Sequence, residues 1–131
     1  MSILVTGGAG FIGSHLARHF AEQAEVTVLD DLRSGYARNL EGTRCRFVQG
    51  SILDAAALNQ AVAGAEEVYH LAAMISVPES VAKPAECAQL NTEGTRRVLD
   101  AALAAGARKV VLASSAAIYG DNPTVPKLES M

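Results

Sequence analysis

Four glycines, Gly7, Gly8, Gly10 and Gly13, stand directly after the apolar run Ile3-Leu4-Val5 and around the start of a helical pattern carried by Phe11, Ile12, Leu16 and Phe20. Such a turn lets main chain come close to a bulky anion, and the N–H groups and dipole at the following helix start favour its negative charge. Gly8, Gly10 and Gly13 satisfy G-x-G-x-x-G, and Gly7, Gly10 and Gly13 satisfy the wider G-x-x-G-x-x-G. The spacing alone would also suit a plain turn. A second apolar run, Val26 to Leu29, ends in Asp30, about twenty residues beyond the glycines, where a dinucleotide site places a carboxylate for the ribose hydroxyls. A carboxylate capping the next loop would look the same. Strand, glycine turn, helix, strand and acid together point to a bound dinucleotide, with its pyrophosphate at the turn.

Asp30 would accept hydrogen bonds from both hydroxyls of an adenosine ribose and would repel a 2′-phosphate. Arg33 could accommodate that phosphate instead, but with Asp30 and Asp31 both present NAD is favoured over NADP. Further along, Ser114 and Ser115 follow the apolar run Val110-Val111-Leu112. Their hydroxyls either bind a substrate or cap orphan main-chain groups at a strand end. Cys45 and Cys87 are too few and too far apart to suggest a metal site or a disulfide framework, and both read as small, buried or half-buried residues.

The chain has 131 residues, half of them hydrophobic, which suffices for one α/β domain with a real core. Its net charge of −3 and scattered Lys and Arg offer no basic field for nucleic acid. The apolar runs are short and broken by charge, and the N-terminus is a strand without a signal-peptide pattern. The expectation is a cytoplasmic protein with no membrane partner.

The elements that must position these residues alternate. A helix over residues 12–23 precedes the strand at Val26–Leu29, which is continuously apolar, as a strand buried on both faces would be. Leu32 to Thr43 reads as a loop and Cys45–Val48 as a third strand. Ser51-Ile52-Leu53-Asp54 has the S-x-x-D form of a helix start, with Ser51 as the cap of a helix over residues 55–63. Val68–Ala72 is a fourth strand, followed by a loop holding Pro78 and Pro84. A long helix spans residues 85–105, with Leu90, Val98, Leu99, Ala102 and Leu103 inward and Gly106 as its stop. Lys109–Ala113 is the fifth strand. Right-handed βαβ crossovers then give a Rossmann-type, doubly wound parallel sheet in the order 3-2-1-4-5. Ligands of such sheets bind beyond the carboxyl ends of the strands, at the switch between strands 1 and 4.

Five motifs, in order, resemble the extended short-chain dehydrogenase/reductase family, and within it the nucleotide-sugar epimerases and dehydratases. They are T-G-G-A-G-F-I-G-S-H-L at Thr6 to Leu16, L-D-D-L at Leu29 to Leu32, H-L-A-A at His70 to Ala73, N-T-E-G-T at Asn91 to Thr95, and S-S-A-A-I-Y-G-D at Ser114 to Asp121. The resemblance implies that Gly7, Gly10 and Gly13 approach the pyrophosphate of NAD, that Phe11 and Ile12 lend backbone amides, and that Asp30 takes the ribose. Ala72 and Ala73 would line the path between the two halves of the cofactor. Ser51 and Ile52 are counted among its neighbours, although Ser51 stands where many relatives carry an aspartate for the adenine amino group. Asn91 either ties its helix to the strand-4 loop, serves a cofactor-side water, or is an ordinary buried asparagine. Ser115 matches the serine or threonine that hydrogen-bonds the hydroxyl being oxidised, with Ser114 beside the cofactor. His70 is left out of the mechanism, and Tyr119 belongs either to the substrate-side wall or to the structure.

The implied activity is epimerisation at C4 of a UDP-hexose or UDP-N-acetylhexosamine, through hydride transfer to NAD and a 4-keto intermediate. Dehydratases of the family place Asp-Glu just after the catalytic hydroxyl residue, where this chain has Ala116-Ala117; decarboxylases of the family are the other alternative. The proton-transfer pair Tyr-x-x-x-Lys belongs a couple of dozen residues beyond Ser115 and does not occur in the chain. Residues 1–131 are therefore read as the N-terminal part of an NAD-binding domain, truncated before its remaining strands and the substrate domain, and inactive alone. A non-catalytic dinucleotide-binding module is the alternative from another class. Relatives commonly pair as homodimers through helices, one of them the helix over residues 85–105.

Overall fold

In the computed structural model, which describes residues 1–131, five parallel strands pair in the order β3-β2-β1-β4-β5, as expected. They are β1 (Ser2–Thr6), β2 (Glu25–Asp30), β3 (Arg46–Gln49), β4 (Glu67–His70) and β5 (Lys109–Leu112). The helices are α1 (Phe11–Ala21), α2 (Ala55–Val62), α3 (Val77–Ala82), α4 (Pro84–Ala88) and α5 (Gly94–Ala104). Alternate side chains of β1 leave the sheet on opposite sides: Leu4 joins Leu29, Val68, Val98 and Ala102, while Ile3 and Val5 join Val26, Val28 and Ala17. Both faces of the central strands are thus covered, which is why the middle of β1, Ile3-Leu4-Val5, is apolar without a break.

Some local expectations are corrected. Asp54, not Ser51, caps α2: its Oδ1 accepts from the main-chain nitrogens of Ala56 (3.0 Å) and Ala57 (3.3 Å). Ser51 lies too far upstream for that role, and its hydroxyl accepts from the Leu53 nitrogen instead (3.1 Å). The segment holding Pro78 and Pro84 forms two short helices, each with its proline in the first turn, where no N–H has a helical partner. The loop after β2 contains a single turn of 3-10 helix at Ala37–Leu40.

The long helix is continuous from Pro84 to Ala104 but passes through a π-helical turn at Gln89–Glu93. Leu90, Gly94, Val98 and Ala102 are buried, whereas Leu99 and Leu103 turn outward, 40% and 79% exposed, against the expectation that they face inward. Buried positions four apart slip by roughly 40° per step round an ideal helix. The wider turn offsets part of that slip between Leu90 and Gly94, while Leu99 and Leu103 each follow a buried residue, Val98 and Ala102, by one position, about 100° round the helix and away from the sheet.

Where β1 and β4 end side by side, a chain of hydrogen bonds, buried between Thr6 and His70 and half-buried beyond, joins them to the helix. The Thr95 hydroxyl donates to the Asn91 carbonyl (2.7 Å), so it accepts from His70 Nε2 (3.0 Å). His70 Nδ1 is then the acceptor, taking the Thr6 hydroxyl proton at 2.6 Å, and the Thr6 oxygen in turn accepts from the nitrogens of Leu71 and Ala72 (3.1 and 3.2 Å). Burial holds the His70 pKa below its ordinary value, in keeping with this neutral tautomer.

Two outcomes follow. Folding favours neutral His70, so its contribution to stability is complete above the ordinary histidine pKa of about 6.5 and declines as pH falls below it. Urea midpoints should drop through that window in the native chain, and the drop should be smaller in His70→Gln. The glycine turn gives a second test. A β-carbon on Gly13 would lie 2.2 Å from the Gly7 carbonyl oxygen, whereas one on Gly10 would meet nothing closer than that oxygen at 3.3 Å. Gly13→Ala should cost about 1–3 kcal/mol in urea unfolding, and Gly10→Ala about 1 kcal/mol or less.

Candidate functional site

A cleft of about 820 Å³ opens at the carboxyl ends of the strands, where the sheet switches from β1 to β4. The residues singled out from the sequence converge on it. Gly7, Gly10, Phe11, Ile12 and Gly13 form its floor with Asp30, while Ser51 and Ile52 lie at one side, Ala72, Ala73 and Asn91 at another, and Ser114 and Ser115 beyond β5.

The floor is the start of α1. Gly10 occupies the cap position with no side-chain hydrogen bond, so the first amides of the helix, at Phe11, Ile12 and Gly13, stand at the cleft without a capping side chain. The side chains of Phe11 and Ile12 are themselves 80% and 64% exposed and take no part in the core. Gly7 (φ +70°) and Gly13 are required by packing within the chain: a β-carbon on Gly7 would sit 2.8 Å from the Ala72 nitrogen. Gly10 alone of the three keeps room above it.

Asp30 is buried at the end of β2. Its Oδ2 accepts from the Ala9 nitrogen (2.9 Å) and its Oδ1 from the Leu32 nitrogen (2.8 Å). The carboxylate thereby fixes the glycine turn to the exit of β2. Two of its roughly four lone-pair positions are used, which leaves acceptor capacity toward the cleft. Leu32 pays for this geometry with a left-handed φ of 62°, which a non-glycine residue seldom adopts.

On the other wall, Asn91 clamps the loop after β4: its Oδ1 accepts from the Met74 nitrogen (2.7 Å) and its Nδ2 donates to the Met74 carbonyl (3.1 Å). Both bonds are to main chain, as a tie between helix and loop requires and as an ordinary buried asparagine bonded to backbone would also make. Ser115 caps a 3-10 turn at Ala116–Tyr119, its Oγ accepting from the Ala117 nitrogen (3.1 Å). That bond uses a lone pair and leaves the hydroxyl proton free to donate. Tyr119 lies in the same turn, half-buried and outside the cleft lining.

Sequence reasoning missed several contributors. Thr95 lines the cleft and holds His70, and its signal was its place four residues after Asn91 on one helix face. Gly35 was passed over as a loop glycine, yet a β-carbon there would lie 2.7 Å from the main chain of Ala9. The Ala9 carbonyl accepts from the Tyr36 nitrogen (3.0 Å) and from Asn39 Nδ2 (2.8 Å), so this loop braces the back of the glycine turn. That contact spans 30 residues and has no local periodicity to announce it. No cluster of three or more His, Cys, Asp or Glu is placed to hold a metal ion.

The profile of the NAD dependent epimerase/dehydratase family matches residues 3–131. A UDP-glucose 4-epimerase of Klebsiella pneumoniae is 37% identical over 99% of this chain and the whole of that protein. One of Mycolicibacterium smegmatis is 45% identical over the whole of this chain, which spans 44% of that relative's length. The crystal structure of UDP-glucose 4-epimerase from Brucella ovis in complex with NAD superposes with a TM-score of 0.86 at 37% identity, covering 98% of this chain and 40% of that one. With the five-stranded order, the glycine turn at the switch point and Asp30 at the end of β2, these matches establish that the chain belongs to the NAD-dependent epimerase/dehydratase family.

Proposed function

We propose that the chain is the cofactor-binding part of a nucleotide-sugar 4-epimerase acting on a UDP-hexose or UDP-N-acetylhexosamine. The observation that carries this reading is the convergence, in one cleft, of the uncapped amides of α1 with a buried carboxylate that keeps acceptor capacity. These groups fit NAD, whose pyrophosphate would lie on the amides of Phe11, Ile12 and Gly13 over Gly10, and whose adenosine ribose would bond Asp30. The main chain at Ala72 and Ala73 would border the middle of the cofactor, with Ser51 and Ile52 toward the adenine and Ser114 toward the nicotinamide. Asn91 acts at one remove, by holding the Met74 main chain beside that path.

NAD, when bound, accepts a hydride from the sugar and returns it. Ser115 donates its free hydroxyl proton in a hydrogen bond to the C4 oxygen, positioning it for oxidation. Ala116 and Ala117, next to it, offer no acid or base for the elimination of water, which favours epimerisation over dehydration. The relatives named above are called UDP-glucose 4-epimerases, in keeping with a UDP-sugar substrate. Leu99 and Leu103 give the outer face of α5 an apolar stripe suited to a second copy of the chain, in accord with a homodimer. No helix is long and apolar enough to cross a membrane, and the cytoplasm is the proposed location.

In calorimetric titrations NAD should bind about tenfold or more tightly than NADP, some 1.4 kcal/mol, because a 2′-phosphate would meet Asp30. Equal affinities would remove Asp30 from the ribose site. Incubated with UDP-glucose and NAD, the 131 residues should form no UDP-galactose, since no tyrosine in them is followed by lysine four positions on. Turnover would place the base elsewhere in this chain.

A further inference from the structure

Arg33 is the one arginine or lysine among the residues lining the cleft. It stands three positions beyond Asp30, on the loop where a 2′-phosphate on the ribose would arrive. Its guanidinium is already paired. It reaches across to the segment after β4, where it donates to Glu79 of α3 and lies 3.6 Å from Glu86 of α4. Glu86 is shared with Lys83 at 3.8 Å, and the Arg33 main-chain nitrogen is held by Asp31 Oδ1 at 3.0 Å.

Resting on the cofactor reading above, we propose that Glu79 and Glu86 are specificity determinants for that cofactor, acting through Arg33. An arginine close to the ribose acid is the group that would otherwise accept a 2′-phosphate. Two carboxylates from the opposite side of the cleft commit it elsewhere, so a phosphate must compete with both for one fork of donors. Discrimination then has two parts: Asp30 repels the phosphate, and the glutamates withhold the cation that could compensate. The hydrogen bond that Arg33 donates to Glu79 also raises the Arg33 pKa, in keeping with a charged pair.

The test compares NAD and NADP affinities by calorimetry in the native chain, in Glu79→Ala/Glu86→Ala, in Glu79→Gln/Glu86→Gln, and in each pair combined with Arg33→Ala. Asp100→Asn, on α5, controls for a general change of charge. The paired variants should bind NADP about three- to fivefold more tightly, the scale of an exposed ion pair, with NAD changed by less than about twofold. The gain should vanish once Arg33 is removed. Unchanged NADP affinity in both paired variants, equal gains for the two cofactors, a gain that persists without Arg33, or the same gain in Asp100→Asn would each overturn the inference. A native chain that binds neither cofactor would overturn the cofactor reading first, and this inference with it.

Discussion

Where β1 and β4 end side by side, the main chain of Gly7 runs so near that of Ala72 that no β-carbon fits between them. Contact of backbone with backbone at the switch of a parallel sheet leaves no side chains to fill the crevice above, and the cleft exists for that reason. Gly13 repeats the arrangement in the first turn of α1, pressed against the Gly7 carbonyl. The polar groups that such closeness buries are met from within: Thr6 accepts from two amides of the β4 exit while its own proton goes to His70. Loosening any one of these contacts would move the floor and the wall of the cleft together.

Asp30 joins the two halves of the nucleotide end in the same way. Its carboxylate is first a structural acceptor, bridging the Ala9 and Leu32 amides, and only its remaining capacity faces outward. Holding the group by two amide donors presets its direction before any ligand arrives, which lowers the ordering cost of binding. The left-handed Leu32 is what bends the chain back far enough for its amide to reach.

Much of this was legible in the residues. The sheet order followed from the alternation of strand and helix, and the cleft from glycines and an acid at a fixed interval, because these signals are local in sequence. What escaped has other causes. Ser51 and Asp54 both suit a cap, and the choice depends on which residue adjoins the first helical one, a boundary that side-chain type does not specify. Leu99 and Leu103 look like core by residue type, but the small residues Gly94 and Ala102 take the sheet-facing line with Val98, and each leucine falls about 100° to one side of it. Gly35 and Arg33 act through partners 26 and 46 residues away, and no pattern within their own loop records them.

The clamp formed by Asn91 has a consequence for how the sheet ends. Its side-chain amide both accepts from and donates to the main chain of a single residue, Met74, as one residue of a neighbouring antiparallel strand would. It is a substitute rung, supplied by a helix and placed four residues past the last residue of β4. A true strand there would bring its own flanking residues and crowd the crevice. One amide gives the departing chain its pair of bonds and nothing more, so the main chain at Ala72 and Ala73 still borders the cleft.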